Sequence, residues 1–286
     1  MRLPNIRVVV FSSHVARGAV GNRAIVFAME RLGIPVWAVP TVQLPWHPGH
    51  GPGTRIISAS DEFASLVADL ERQIDPRNPI AVISGYLGSA DQAEPIARLV
   101  ETARARGALV SYLCDPVVGD HGGLYVPVDV AHAIRNQLLP IADLATPNRF
   151  ELSWLNASDE ALTTAEAVEQ ANSLSPKAVL VTSAPSMMAG SVANLHISAN
   201  GVLNVEHRVL ASVPHGTGDL IASLFLAHTL LGRSVSQALG LASNSVYNLA
   251  LRAVQSGATD FQLARDQGFF VMENGFPVRQ IMTSKR

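Results

Sequence analysis

The segment His215-Gly216-Thr217-Gly218-Asp219 leads directly into Leu220-Ile221-Ala222-Ser223-Leu224-Phe225-Leu226-Ala227, and this junction decides the fold. Glycines permit a tight turn and close approach of the backbone to a ligand. The following helix begins with unpaired N–H groups, which together with its dipole predict an anion site. An acid there could accept a proton from an attacking hydroxyl while the amides stabilise phosphoryl charge. For this motif by itself, a plain turn with Asp219 as helix cap is the alternative.

Outward from this junction, short apolar strands alternate with amphipathic segments. The pattern predicts strands at 6–11, 35–39, 80–84, 108–113, 143–146 and 178–182, a hairpin formed by 192–198 and 202–209, and helices at 20–32, 61–74, 91–106, 128–138, 219–231 and 236–255. Residues 40–53 are expected to form a loop. Alternating strands and helices predict an α/β fold with a mostly parallel sheet that is covered on both faces.

Polar residues follow several of these strands. They are Ser13, Ser84-Gly85-Tyr86, Asp115, Thr146 and Thr182. Ligands of parallel sheets bind outside the carboxyl ends of the strands. The sequence therefore predicts a ligand site at that edge.

Composition excludes several classes of function. The chain has 286 residues, 48% hydrophobic, and its net charge of -2 offers no basic surface for nucleic acid. A single cysteine, Cys114, cannot form an internal disulfide and suits the cytosol. The apolar run at 6–11 is too short to span a membrane. With no repeat or linker in view, we expect residues 1–286 to form one cytoplasmic domain without nucleic-acid or membrane partners.

Two acids are candidate cation ligands. Asp115 follows a buried strand and could hold Mg²⁺ directly or through water, or simply begin a turn before Pro116. Glu151 lies three residues after Asn148, which is the spacing of a capping box. The functional alternative is that Glu151 and Asp115 converge on one magnesium ion with nucleotide phosphates.

The segment 41–50 mixes flat, apolar and hydrogen-bonding side chains, which suits a flat heteroaromatic ligand. For His50, an ordinary surface loop is the better interpretation. Tyr86 could stack on a ring or pack in the core. His207 and His215 lack the spacing of metal ligands.

Several motifs occur in a fixed order along residues 6–256. They are Ser13-His14-Val15 with Gly18 and Gly21-Asn22; Thr41-Val42-Gln43 with His47; Ser84-Gly85-Tyr86-Leu87-Gly88-Ser89; Cys114-Asp115-Pro116-Val117; Pro147-Asn148 with Glu151-Leu152; and Gly216-Thr217-Gly218-Asp219. In this combination they resemble the pyridoxal kinase family of the ribokinase-like superfamily. The last motif by itself marks only the superfamily.

This resemblance implies a three-layer α/β/α sandwich that transfers the γ-phosphoryl group of ATP to the 5′-hydroxymethyl group of pyridoxal, and also of pyridoxine or pyridoxamine. It implies Asp219 as base and Gly216, Thr217 and Gly218 as anion hole. Matching positions line the vitamin pocket at Ser13, Val42, His47, Tyr86 and Asp219, and surround ATP and its cations at Asp115, Asn148, Glu151, Thr182 and Ser183. Family members need Mg²⁺, are often helped by K⁺, and are usually homodimers.

One loop departs from the family, which often has Phe-Ser-Asn-His-Thr where this chain has Leu44-Pro45-Trp46-His47-Pro48. Two alternatives stay open: a kinase of the same fold acting on hydroxymethylpyrimidine or a sugar, and a non-catalytic vitamin carrier or sensor. Pyrimidine kinases tend to have a Gly-rich Ala-Gly-x-Asp opening at the first strand end, unlike Ser12-Ser13-His14-Val15 here. The retained Asp219 motif argues against a carrier.

Overall fold

The structure, a computed structural model, describes residues 6–281 and is organised on a nine-stranded sheet. The strand order is β11-β10-β9-β8-β7-β4-β3-β1-β2. The strands are β1 (Arg7–Val15), β2 (Val36–Leu44), β3 (Ile80–Ser84), β4 (Leu109–Cys114), β7 (Leu144–Ala145), β8 (Ala178–Pro185), β9 (Ser191–Ser198), β10 (Gly201–Arg208) and β11 (Arg279–Ile281), and β5 (Gly119–Asp120) pairs separately with β6 (Gly123–Leu124). The sheet is parallel from β2 to β8 and antiparallel from β8 to β11.

Helices cover both faces of this sheet. They are α1 (Asn22–Arg31), α2 (Ser60–Arg72), α3 (Ala93–Ala105), α4 (Val128–Ala133), α5 (Arg149–Asn156), α6 (Thr164–Asn172), α7 (Thr217–Leu230), α8 (Val235–Ser256) and α9 (Leu263–Asp266). Within residues 6–281, no helix combines the length and the apolar composition that crossing a membrane would need.

The alternation of side chains along β1 explains the three layers. Val8 and Val10 pack in a cluster with α1, α7 and α8, whereas Val9 and Phe11 pack with α2, α3 and α4. All four side chains are fully buried. Successive strand residues point to opposite faces, so a strand covered on both sides needs an unbroken apolar run. The predicted α/β class and mostly parallel sheet are confirmed.

The predicted loop at 40–53 is wrong in its first part, because β2 continues to Leu44. Its last residues pair with the end of β1, where His14 lies opposite Gln43 after a register shift. Gln43 also exchanges two backbone hydrogen bonds with Ile56, at 2.8 and 3.0 Å. Pro40 is tolerated because β2 is an edge strand. Thr41 and Val42 therefore sit on a strand.

Other boundaries also differ from the prediction. The helix predicted at 128–138 is α-helical only to Ala133 and continues as a wider π turn to Leu138. Helix α6 was missed, although Thr163 and Glu166 form a capping box at its start. The tail after Thr259, which the sequence left ambiguous, adds α9 and the edge strand β11 to the body.

We propose that residues 1–286 form one cooperative domain, and Phe270 tests this. Phe270 is fully buried, and its ring centroid lies 5.8 Å from that of Phe27 on α1. Phe270→Ala should lower the free energy of unfolding by about 3–5 kcal/mol, the usual effect of removing a buried phenyl ring. Urea unfolding, followed by circular dichroism, should show a single transition.

The neighbouring Val271 is 43% exposed and serves as the matched control. Val271→Ala should change the free energy of unfolding by less than about 0.5 kcal/mol. Two separate unfolding transitions in the unmutated protein would contradict the single domain.

Candidate active site

The carboxyl ends of β1, β2, β3, β4, β7 and β8 share one edge of the sheet because these strands run parallel. The polar residues singled out in the sequence lie at or just beyond this edge. A bulge in β8 between Val181 and Ala184 interrupts the regular pairing at Thr182 and Ser183. Ser183 has a φ of 52°. Residues far apart in the chain are thereby brought to one side of the molecule.

The glycine turn sets the start of α7. Gly216 has a φ of 104° and is the residue that caps α7. A Cβ there would lie 2.3 Å from the carbonyl oxygen of Ala19, so glycine is required. Asp219 lies in the first turn of α7 and makes no cap of its own. Its Oδ2 instead accepts a hydrogen bond from the Gly21 N–H at 2.8 Å, at the entrance to α1.

The charges of two buried carboxyl groups, those of Asp115 and Asp219, repel each other in this site. Asp115 is only 5% exposed, and its Oδ1 accepts a hydrogen bond from Thr146 Oγ1 at 2.8 Å. Burial, followed by the charge of Asp219, raises the pKa of Asp115 to about 7, and the Thr146 hydroxyl opposes this shift. Burial also raises the pKa of Asp219 to about 6, opposed by the Gly21 N–H. Among residues 6–281, no Lys or Arg forms an ion pair with either carboxylate.

Glu151 forms the capping box that the sequence allowed. Its Oε2 accepts from the Asn148 N–H at 2.9 Å, and Asn148 Oδ1 accepts from the Glu151 N–H at 2.9 Å. The second carboxyl oxygen accepts from the Val118 N–H at 3.0 Å. Burial and the charge of Asp115 raise the pKa of Glu151 despite these bonds. Because both oxygens already have donors, contact with a cation through water fits Glu151 better than direct coordination.

Asn148 is also committed to the fold, because its Nδ2 donates to the Gly119 carbonyl at 2.9 Å. The described residues contain no group of three or more His, Cys, Asp or Glu side chains arranged to hold a metal. A magnesium ion typically keeps several waters and uses one or two carboxylates plus substrate phosphates. Asp115 and Glu151 are both buried, and neither forms an ion pair with a Lys or Arg among residues 6–281, so this pair fits such an ion.

A cavity of about 240 Å³ opens beside the glycine turn. Four predicted nucleotide residues line it: Thr182, Ser183, Thr217 and Gly218. No sequence motif indicates the rest of its wall, which includes Val209, Leu210, Val213, Val246 and the rings of His207 and Tyr247. These two rings have centroids 5.2 Å apart. The wall comes from β10, the segment after it and α8, so no local motif could have indicated it.

Apart from Asp219, the predicted vitamin-pocket residues belong to the ends of β1 and β2 and to the segments that follow β2 and β3. Ser13 is 7% exposed and Val42 is 1% exposed. Tyr86 is half-buried, and its hydroxyl accepts a hydrogen bond from Arg55 at 2.8 Å. The same guanidinium lies 5.5 Å from the Tyr86 ring centroid and donates to the Gly88 carbonyl. Arg55 thus fixes the ring of Tyr86, a role that no sequence pattern suggested.

Gln92 is a second positioning residue that the sequence analysis missed. It is buried; its Nε2 donates to the Thr41 carbonyl, and its Oε1 accepts from the Gly88 N–H, both at 2.8 Å. Thr41 Oγ1 in turn donates to the Tyr86 carbonyl at 2.6 Å. The end of β2 is therefore tied to the segment after β3. The only signal was the capping spacing from Ser89 to Gln92.

His47 stacks on His215, with ring centroids 3.9 Å apart. Its Nδ1 accepts a hydrogen bond from the Gly49 N–H at 3.0 Å. Burial, then the neighbouring His215 and His50, lower the pKa of His47 to about 4. His47 is therefore neutral at pH 7, and the Gly49 contact leaves its proton on Nε2, free to donate.

Comparison with known proteins places this geometry in context. The sequence model of the phosphomethylpyrimidine kinase family matches residues 64–263. The chain is 36% identical to pyridoxal kinase PdxY of Rubrobacter xylanophilus, covering 96% of this chain and 98% of the relative. The fold is similar to pyridoxal kinase of Entamoeba histolytica, with a TM-score of 0.88, 23% identity and coverage of 96% and 99%. It is also similar to the Leishmania donovani pyridoxal kinase solved with ADP and pyridoxine, with a TM-score of 0.87, 25% identity and coverage of 97% and 99%. The expected ribokinase-like fold is confirmed.

The raised pKa of Asp115 has a consequence for stability. The folded-state pKa of about 7 exceeds the ordinary 3.8, so ionisation of Asp115 destabilises the fold progressively between about pH 4 and pH 7. Asp115→Asn should therefore raise the free energy of unfolding at pH 8 by about 1–3 kcal/mol, after allowance for a poorly paired amide. The measurement is urea unfolding in EDTA at pH 8 and pH 4, and the gain should disappear at pH 4.

Asp61, exposed on the first turn of α2, provides the control, and Asp61→Asn should change stability by less than about 0.5 kcal/mol at pH 8. Loss of stability in Asp115→Asn at both pH values would contradict this account of the site.

Proposed function

The chain belongs to the pyridoxal kinase family, and we propose on this basis that it transfers the γ-phosphoryl group of ATP to the 5′-hydroxymethyl group of pyridoxal. Pyridoxine and pyridoxamine, which carry the same hydroxymethyl group, are the related acceptors. The observation that carries the proposal is the position of Asp219. Its Oδ2 accepts a hydrogen bond from the N–H of Gly21, which packs against the predicted pocket residue Ser13. Thr217 and Gly218 of the same helix start line the cavity together with Thr182 and Ser183.

The reaction needs a base, and Asp219 is the proposed one. It accepts the proton of the 5′-hydroxyl while that oxygen attacks the γ-phosphorus. The new O–P bond forms as the bond from the γ-phosphorus to the bridging oxygen of ADP breaks. A base is most effective when its pKa lies near the operating pH, and the pKa of Asp219, about 6, satisfies this condition.

Charge on the transferring group is stabilised by the start of α7. The N–H groups of Gly216, Thr217 and Gly218 precede the first full turn, where the helix dipole favours negative charge. Glycine at 218 keeps a side chain away from the phosphoryl group, whereas glycine at 216 avoids the Ala19 carbonyl. Gly218 has nothing within 4 Å of the place where a Cβ would stand, so that space is open to a ligand.

The cation side of the proposal rests on the two acids. Asp115 would hold Mg²⁺, and Glu151 would contact its water shell. Bound there, the cation neutralises charge on the phosphates, which is its usual contribution to phosphoryl transfer. Asn148 supports Glu151 through the capping box, and its side-chain amide is already used by the Gly119 carbonyl and the Glu151 N–H. K⁺ is an expectation carried over from the family resemblance and is assigned to no residue.

Recognition of the vitamin is assigned to the predicted vitamin pocket, which contains Ser13, His47 and Tyr86. Ser13 can donate to or accept from a ring substituent, and Tyr86 offers a face on which a pyridine can stack. His47 Nε2–H can donate to the phenolic oxygen of pyridoxal.

The family resemblance also underlies the proposals of a homodimer and of a cytoplasmic location, the latter supported by the free, buried Cys114.

A second candidate acceptor is hydroxymethylpyrimidine. The observation in its favour is the match of residues 64–263 to the phosphomethylpyrimidine kinase model. The match begins after the segments that carry Ser13 and His47, so it does not cover the residues proposed to recognise the phenolic oxygen. The carrier or sensor alternative has no observation in its favour, because Asp219 and its glycine turn are intact.

Asp219→Asn tests the base. The amide keeps the shape of the side chain and removes its basicity, so kcat should fall by about 10²–10⁴ at saturating Mg-ATP and pyridoxal. For the unmutated protein, kcat/KM should rise with pH through about 6, because only the ionised carboxylate accepts a proton.

The affinity of Asp219→Asn for Mg-ADP, measured by calorimetry, should stay within about threefold of that of the unmutated protein. This result would exclude misfolding as the cause of the lower kcat. A loss of less than threefold in kcat would refute the assignment of Asp219.

Substrate choice tests the vitamin pocket. A site built to bond a hydroxyl rejects an analogue that lacks it, because the polar group of the site is then left unpaired. We expect kcat/KM for pyridoxal to exceed that for hydroxymethylpyrimidine by at least about tenfold in direct competition, and His47→Ala to narrow the ratio.

His132 on α4, whose ring lies 5.6 Å from that of Trp154, provides a matched histidine control, and His132→Ala should leave the ratio unchanged. An equal or reversed preference in the unmutated protein would show that the acceptor assignment is wrong.

A further inference from the structure

Asp260 lies in the connection after α8 and contacts two loops that border the proposed vitamin pocket. Its Oδ1 lies 3.0 Å from His50 Nε2, and its Oδ2 lies 3.5 Å from a guanidinium nitrogen of Arg17. A Cβ on Gly18 would stand 3.1 Å from Oδ1, so the backbone after β1 packs against the carboxylate. The Asp260 side chain is only 17% exposed.

The contact with His50 extends to His47. The segment Pro48–His50 is a single 3-10 turn that His47 caps, with the His50 N–H donating to the His47 carbonyl at 2.9 Å. A Cβ on Gly49 would lie 2.7 Å from His215 Nε2 and 2.9 Å from His47 Nδ1. The turn therefore fits closely under the two stacked rings. Anchoring His50 fixes the turn, and the turn fixes the ring of His47.

The contact with Arg17 reaches the same loop from its other end. The N–H groups of Ala16 and Arg17 donate to the carbonyls of Leu44 and Pro45, both at 2.9 Å. The loop after β1 and the loop after β2 are therefore joined in one layer. Asp260, in the connection after α8, ties this layer to the helical body, as does Arg23 on α1, which donates to the Ala16 carbonyl at 3.1 Å.

We propose, resting on the function proposed above, that Asp260 is a positioning residue for the acceptor. By holding His50 and Arg17 it keeps His47 stacked on His215 and directed at the vitamin before binding. Without Asp260 the free loop samples open positions, and part of the binding free energy of the vitamin is used to order it. Once the vitamin is bound, the base and the anion hole are unchanged.

This arrangement predicts that loss of the anchor raises KM for pyridoxal and leaves kcat nearly unchanged. Asp260→Ala should raise KM for pyridoxal by about 5–20-fold, leave KM for ATP within about twofold, and leave kcat within about twofold. His50→Ala should act in the same direction. KM for pyridoxal in the double variant should lie within about twofold of the KM of the worse single variant, because both changes break the same contact.

A matched control removes an ion pair elsewhere. Asp75 pairs with Arg77 in the turn before β3, at the edge of the sheet opposite the site. Asp75→Ala should leave both KM values unchanged. Asp260→Asn keeps an oxygen that can accept from His50 and should recover part of the affinity for pyridoxal.

A second readout needs no activity. Trp46 lies in the anchored loop and donates from Nε1 to the Gly51 carbonyl at 3.1 Å. In a background with Trp37→Phe and Trp154→Phe, Trp46 is the only tryptophan. Asp260→Ala and His50→Ala should each shift its emission to the red and increase quenching by iodide, without any substrate present.

The two readouts distinguish the possible failures. If pyridoxal is not phosphorylated at all but Trp46 responds, the function is wrong and the anchoring by Asp260 stands. If pyridoxal is phosphorylated and both Asp260→Ala and His50→Ala leave its KM and the Trp46 emission unchanged, the positioning role is overturned. A loss of kcat with unchanged KM for pyridoxal in both variants would also overturn it. So would effects on KM that are fully additive in the double variant.

Discussion

Two buried negative charges, on Asp115 and Asp219, share one edge of the sheet, and the rest of the site is arranged around that constraint. Burial and mutual repulsion raise the pKa of Asp115 to about 7 and burial raises that of Asp219 to about 6. Within residues 6–281, their hydrogen-bond partners are a hydroxyl and a backbone N–H. Carboxylates that are held this way are destabilising in the empty protein, and they become favourable when a cation or a proton from a substrate arrives.

The parallel sheet makes this arrangement possible. Six parallel strands end at one edge, so single residues from distant parts of the chain converge there without any long insertion. The glycine turn before α7 lines the cavity through Thr217 and Gly218, and Asp219 on the same turn accepts from Gly21, which packs against Ser13. The proposed base is thus adjacent to residues of both proposed substrate sites, which is what direct phosphoryl transfer demands.

The sequence predicted the features that depend on short segments. The glycine turn, the capping box of Asn148 with Glu151, and the polar residues at strand ends are local, and local chemistry determined them. The same local view missed the continuation of β2 to Leu44, because only pairing with β1 extends that strand through Pro40.

Long-range contacts were beyond the sequence for the same reason. Gln92 bridges Thr41 and Gly88, Arg55 holds Tyr86, and the apolar wall of the cavity comes from β10 and α8. The sequence favours an ordinary surface loop for His50, yet its partner Asp260 lies 210 residues away. Pairings across such separations depend on the fold, and one sequence carries no signal for them.

The most direct test of the account follows the phosphoryl group itself. The protein is incubated with Mg²⁺, pyridoxal and ATP labelled with ¹⁸O at the γ-phosphoryl group, and the products are identified by mass spectrometry. The account predicts pyridoxal phosphorylated at the 5′-oxygen, carrying the labelled phosphoryl group, in equal amount to ADP, and no product when EDTA removes the cation. Labelled inorganic phosphate with unmodified pyridoxal would contradict it.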